Sequence, residues 1–127
     1  MNLASRVQGI TKYMKSRLLV TEATRERLGP RFAARRLGQV RVVNIGEPVT
    51  LFEIDETGDP KWEALCLQYE SALAEFERQG FRMAARILAT ITAEHPHDGP
   101  SLVLLSRAVN ALVDPEGFDP VFVAPGK

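Results

Sequence analysis

The chain is short of several things, and each shortage narrows what it can be. It has one cysteine, Cys66, so no disulfide can form within it. That usage suits a reducing compartment, and a cytoplasmic setting is expected. No apolar run approaches the roughly 20 residues of a membrane-spanning helix, so no membrane segment is expected. Arg6 and Lys12 break the N-terminal apolar stretch, which therefore carries no signal-peptide pattern. Histidine is scarce as well, with both copies in His95-Pro96-His97-Asp98. Two histidines around a proline lack the further ligands of a zinc site, so the segment reads as a turn. Asp55, Glu56 and Asp59 do not follow a calcium-loop spacing and read as a solvated linker.

Net charge is absent too, but only as a sum. Residues 1–54 hold ten Lys/Arg against four Asp/Glu, whereas residues 55–127 hold six against twelve. A basic first half suits an anionic ligand; equally, opposite charges help two halves dock. Nucleic acid is not the expected partner. Arg35 and Arg36 point to opposite faces of a strand, no aromatic platform accompanies them, and they read as plain β-surface.

What is present is a change of period along the chain. Leu3, Val7, Ile10 and Met14 recur at helical spacing, with Asn2, Arg6 and Tyr13 on a neighbouring stripe and Gly9 between them. That glycine reads either as a tolerated helix defect or as a point of close approach beside Arg6. Arg17-Leu18-Leu19-Val20 reads as a short buried strand. Thr21 caps a brief helix through Arg27, which Gly29-Pro30 ends. The segments RRLGQVRVV and VTLFEI, around the turn Asn44-Ile45-Gly46-Glu47-Pro48, form a β-hairpin. Beyond the acidic linker, Trp62, Leu65, Tyr69, Leu73 and Phe76 mark one helix, and Ala84, Ile87, Leu88 and Ile91 mark a second. Gln79-Gly80 turns between them. Cys66 lies in the apolar pattern of the first of these helices and reads as core. HPHDGP breaks the chain, SLVLLSRAVNALV forms a third helix, and the apolar, Pro-rich tail FDPVFVAPGK packs back against a neighbour.

NLASR opening a helix, then LLVTEAT, RRLGQVRVV and EPVTLFEI, resembles the C-terminal part of the class III adenylate/guanylate cyclase catalytic domain. The resemblance covers residues 1–54. It implies that Asn2 and Arg6 are catalytic, supporting the transition state as a ribose 3′-hydroxyl attacks an α-phosphate. A guanidinium fork and an amide one turn apart suit that task. It also implies an active site formed across a homodimer, with Mg²⁺ and ATP in the full-length form. The family's metal-binding aspartates and base-contacting residues lie upstream, so no cofactor is expected to be held by this chain. Where the hairpin of the family reads Lys-Gly, this chain has Val43-Asn44. The pattern is cut just before its helix, with Met1 where a small apolar residue usually stands. A mis-assigned start codon or a degenerate gene is expected.

The helices after the linker resemble a tetratricopeptide unit. Gly80-Phe81 stand at the turn, Ala84 follows, and Pro96 comes twelve residues after it. The first helix lacks that family's usual Gly. Some bacterial class III cyclases are similar in continuing into such a hairpin, and HPHDGP, LLSRAV and DPEGFDPV fit that arrangement. The expected fold is therefore α+β. A partial cyclase-type layer of helix, strand, helix and β-hairpin (1–54) and a linker (55–61) precede a tetratricopeptide-like helical module with a C-terminal tail (62–127). The functional expectation is an adenylate cyclase-like protein whose isolated C-terminal part is inactive. The alternative is a non-catalytic module whose helices bind a protein partner.

Overall fold

Thr21 sits where a strand becomes a helix. In a computed structural model of the chain, which describes residues 19–28, 32–41, 47–56 and 59–123, strand β1 (Leu19–Thr21) runs directly into helix α1 (Glu22–Arg27). The Thr21 hydroxyl accepts a hydrogen bond from the Thr24 backbone N–H at 3.4 Å, satisfying a donor that the helix start leaves open. Glu22 in the first turn and Arg25 and Arg27 in the last complement the helix dipole. Leu28, with extended backbone angles, ends the element.

The expected hairpin follows as β2 (Phe32–Arg41) and β3 (Pro48–Glu56), paired antiparallel. β1 pairs antiparallel with the other edge of β3, and a two-residue strand β4 (Phe122–Val123) pairs parallel with β2 at Val40 and Arg41. The order across the sheet is β1-β3-β2-β4. β3 runs on through Asp55 and Glu56, the first two residues of the stretch expected as linker.

The hairpin is not a plain ladder. Arg35 faces Glu53 and Arg36 faces Phe52, but the next pair is Gly38 with Leu51, so Leu37 is an extra residue in β2. Gly38 carries φ 116, a conformation that residues with a Cβ rarely adopt. The bulge resets the alternation of the strand. Arg35 and Leu37 are buried before it and Val40 after it, while Gln39 and Arg41 stay exposed. On β3, Leu51, Phe52, Glu53 and Ile54 are all buried, so both faces of this strand are covered.

The chain divides into two compact units, one of residues 1–59 with 121–127 and one of Pro60–Pro120. The second contains α2 (Pro60–Glu77), α3 (Phe81–Glu94), α4 (Gly99–Val113) and a single 3₁₀ turn, Pro115–Gly117. α3 packs against both α2 and α4. Its core comes from Tyr69, Leu73 and Phe76 of α2, Ala84, Leu88 and Ile91 of α3, and Leu104, Ala108 and Ala111 of α4. These sit three or four residues apart, the spacing that gathers side chains on one helical face. Each large apolar side chain so buried stabilises the unit by about 1.5–3 kcal/mol. Cys66 is buried among them, as expected.

The turn between α2 and α3 closes with paired hydrogen bonds. Gly80 N–H donates to Glu75 C=O at 2.7 Å, and Gln79 N–H donates to Phe76 C=O at 3.0 Å. This is the Schellman arrangement, whose penultimate residue is left-handed. Gln79, with φ 70, takes that position rather than the glycine beside it. α4 begins at Asp98, whose carboxylate accepts from the Ser101 backbone N–H at 3.2 Å and from its hydroxyl at 2.5 Å. After α4 the tail folds back within the helical unit. Phe118 stands edge-on to Phe81 and Phe76, with ring centroids 4.7 and 5.2 Å away.

Candidate functional site

Asn2 and Arg6, the residues with implied catalytic roles, lie outside the described residues. So do the rest of the expected N-terminal helix, including Gly9 and Tyr13, the first two residues of the expected strand, and Val43-Asn44. What the structure places is the scaffold that follows them. A strand, a brief helix and a hairpin stand in the order that LLVTEAT, RRLGQVRVV and EPVTLFEI implied.

Within that scaffold, one expectation is corrected. Arg35 was expected on plain β-surface, and it is fully buried at 0% exposure. Its Nη2 donates to Oε1 of Glu53, directly across the hairpin and 4% exposed. The cause is twofold: β3 is covered on both faces, and the bulge turns Arg35 rather than Arg36 toward Glu53. Removing one member of such a pair strands a charge in a low-dielectric interior. Arg36 is half-buried on the opposite face. The guanidinium of Arg25 on α1 lies over the Phe52 ring at 5.0 Å from its centroid. Arg41, at the turn end of β2, is exposed and faces Pro48.

In the helical unit a second arginine is held differently. The Arg107 guanidinium lies 4.8 Å from the centroid of Phe76 and donates to the carbonyls of Asp119 and Pro120 at 3.3 and 3.4 Å. Burial pushes it below the usual arginine value, against the opposing pull of Tyr69, Asp119 and Glu77. It clamps the tail beside Phe118.

The His95-Pro96-His97-Asp98 turn is a helix junction. His95 N–H donates to Ile91 C=O at 2.7 Å, closing α3, while Asp98 opens α4. Among the described residues no group of three or more His, Cys, Asp or Glu could hold a metal ion. No helix among them is long and apolar enough to cross a membrane.

Arg35–Glu53 and Arg107 are the constellations that sequence reasoning missed. Glu53 left a signal, because it interrupts the apolar run Val49-Thr50-Leu51-Phe52-Glu53-Ile54 where an acid needs a partner. Arg107 left none, since its partners lie across α2 and the tail.

No protein-family model matches the chain, and no solved structure does. The chain is similar to the adenylate cyclase, terminal-differentiation specific, of Dictyostelium discoideum, at 26% identity over 115 residues. The match takes in 85% of this chain and 5% of that protein. A stretch of that length cannot be held within the first 59 residues, so the likeness extends into the helical unit as well. It supports a distant relationship to adenylate cyclases.

Proposed function

We propose that this chain is the C-terminal part of an adenylate cyclase-like protein that, in its full-length form, converts ATP to cyclic AMP and pyrophosphate in the cytoplasm. The observation that carries the reading is the Dictyostelium match across 85% of the chain. The strand, helix and hairpin of residues 19–56 agree with it in order. In this reading Arg6 stabilises charge on the reacting phosphoryl group and Asn2 orients the ribose. The described residues do not fit a metal site. Mg²⁺ with ATP would be held by carboxylates outside them, and the isolated chain would be inactive. The site would be completed across a homodimer.

The test is Arg6→Ala in the complete protein, with cyclic AMP formation as the readout. Loss of about 10²-fold or more in kcat, with expression and dimerisation intact, is expected for a transition-state donor. Undiminished turnover would sink the role.

A second reading has its own observation. Leu102, Val109, Leu112 and Val113 leave apolar surface exposed on α4, and Leu67 does so on α2. A non-catalytic, tetratricopeptide-like module that binds a protein partner would use such a face. Replacing Leu102, Val109 and Leu112 together by Ser should then abolish capture of that partner while the helices stay folded; unchanged capture counts against this reading.

A further inference from the structure

α4 repeats the pattern of α2 and then departs from it. Its buried positions lie thirty-nine residues after counterparts on α2: Leu104 after Leu65, Ala108 after Tyr69 and Ala111 after Ala72. Cys66 and Leu73 are buried on α2 as well. Their counterparts on α4 are Leu105, which is half-buried, and Leu112, which is 36% exposed. The sharper difference lies one step further round the helix. There α2 carries Glu63 and Glu70, whereas α4 carries Leu102 and Val109, 41% and 45% exposed. The last helix of a packed stack is ordinarily capped by a polar outer side. An apolar one calls for a cover.

Spacing and charge say what the cover is. Leu102 and Val109 are seven residues apart, and so are Leu105 and Leu112, which gives the a and d seam of a two-helix coil. The seam carries no charge. Arg107 is the one ionisable residue of α4, and its guanidinium is turned onto Phe76 and the carbonyls of Asp119 and Pro120. A lipid surface is disfavoured, because a helix that lies on one flanks its apolar side with Lys and Arg. A charged protein partner would find nothing on the seam to pair with. An uncharged seam meets its own copy without repulsion, and a two-fold axis covers both seams with the same surface.

We propose that α4 is a self-association helix: Leu102, Leu105, Val109 and Leu112 pack against the same four residues of a second copy of this chain. This rests on the reading of α4 as a partner surface and names the partner. Fifteen helical residues extend about 22 Å, and one such seam buries less than the roughly 1,000 Å² of a stable specific interface. The dimer is therefore weak, with a dissociation constant on the order of 100 μM. Residues 60–120 hold five Lys/Arg against nine Asp/Glu, so two helical units repel one another apart from the seam. Added salt screens that repulsion and tightens the dimer. Docking of the basic first half of one chain on the acidic second half of another would loosen instead.

Sedimentation equilibrium of the whole chain between about 10 μM and about 1 mM, at low and high sodium chloride, reads both properties. A monomer–dimer equilibrium that tightens with salt is expected. Val109→Glu sets a carboxylate in each seam and should weaken the dimer by about tenfold or more, with helical circular dichroism unchanged. Leu102→Glu, at the other a position, should do the same and guards against a folding defect in either variant. Leu67→Glu, on an exposed position of α2, should leave the equilibrium as it is. The proposal is overturned by a dimer that both α4 variants leave intact, that salt loosens, or that Leu67→Glu abolishes. A chain that stays monomeric throughout overturns it too, and the seam then belongs to a different protein, which the triple Ser variant still tests.

Discussion

Two arginines, one in each unit, show how differently the sheet and the helices bury charge. Arg35 is matched to the Glu53 carboxylate across a strand pair, and its place depends on a one-residue bulge. Arg107 lies over a ring face and donates to two backbone carbonyls, with Asp119 and Glu77 adding opposite charge around it. The first arrangement leans on charge pairing, since a slip or a substitution takes a carboxylate away from a buried guanidinium. The second is spread over several contacts, so that the weakening of one leaves the others in place. The sheet unit is thus specified by register and the helical unit by packing. Substitutions should separate the two, and Trp62, the single tryptophan, lies in the helical unit and reports on it.

The largest effect is expected at Phe76. Its ring meets Phe81 at 5.7 Å and Phe118 at 5.2 Å, and carries Arg107 on its face. Phe76→Ala should cost about 3–5 kcal/mol, through lost burial and the cavity left behind. Denaturant unfolding followed by Trp62 fluorescence measures it. If packing specifies this unit, the loss appears there, and hydrogen exchange in the β2–β3 ladder stays unchanged. A parallel loss of ladder protection would break the comparison between the units.

The same contrast decides what could be read from the sequence. The helices were legible because their cores repeat locally. Tyr69, Leu73 and Phe76, like Ala84, Leu88 and Ile91, announce a face within one continuous stretch. Thr21 and the HPHDGP break were legible as chemistry, a side-chain cap and a helix stop. The bulge was not, because a glycine inside a strand pattern does not say which neighbour becomes the extra residue. Without the bulge, Arg35 could not be told from Arg36. β4 was illegible for a different reason. Phe122 and Val123 pair with Val40 and Arg41, about eighty residues back in the chain, and no local pattern encodes such a contact. Asn2 and Arg6 remain readable only through the resemblance, since spacing alone does not distinguish them from any helix surface.

A smaller effect is expected at the α4 junction. Asp98 accepts from both the N–H and the hydroxyl of Ser101, so it satisfies donors that the helix start cannot. Asp98→Ala should lower the stability of the helical unit by about 1 kcal/mol, and Asp98→Asn by less, because the amide oxygen still caps. The paired measurement matters, since equal losses would mean that charge rather than capping holds the junction.

The smallest expected effect has the opposite sign. The α2–α3 turn places its left-handed residue at Gln79, with φ 70, and its glycine one step later, at Gly80. A residue with a Cβ is strained at a left-handed position, by about 1–2 kcal/mol, whereas glycine takes it freely. Part of that gain is lost to the greater freedom of glycine in the unfolded chain. Gln79→Gly should therefore stabilise the helical unit by about 0.5 kcal/mol. Gly80 is not a spare glycine. A Cβ there would fall 2.7 Å from Oε1 of Glu75 and 3.3 Å from its backbone oxygen, the acceptor that closes the turn. Gly80→Ala should destabilise, and the Gln79→Gly/Gly80→Ala pair should come out below the native chain. If Gln79→Gly instead lowers the midpoint of the Trp62 transition, the glutamine contributes more through its side chain than its backbone angle costs, and the turn is held by packing like the rest of its unit.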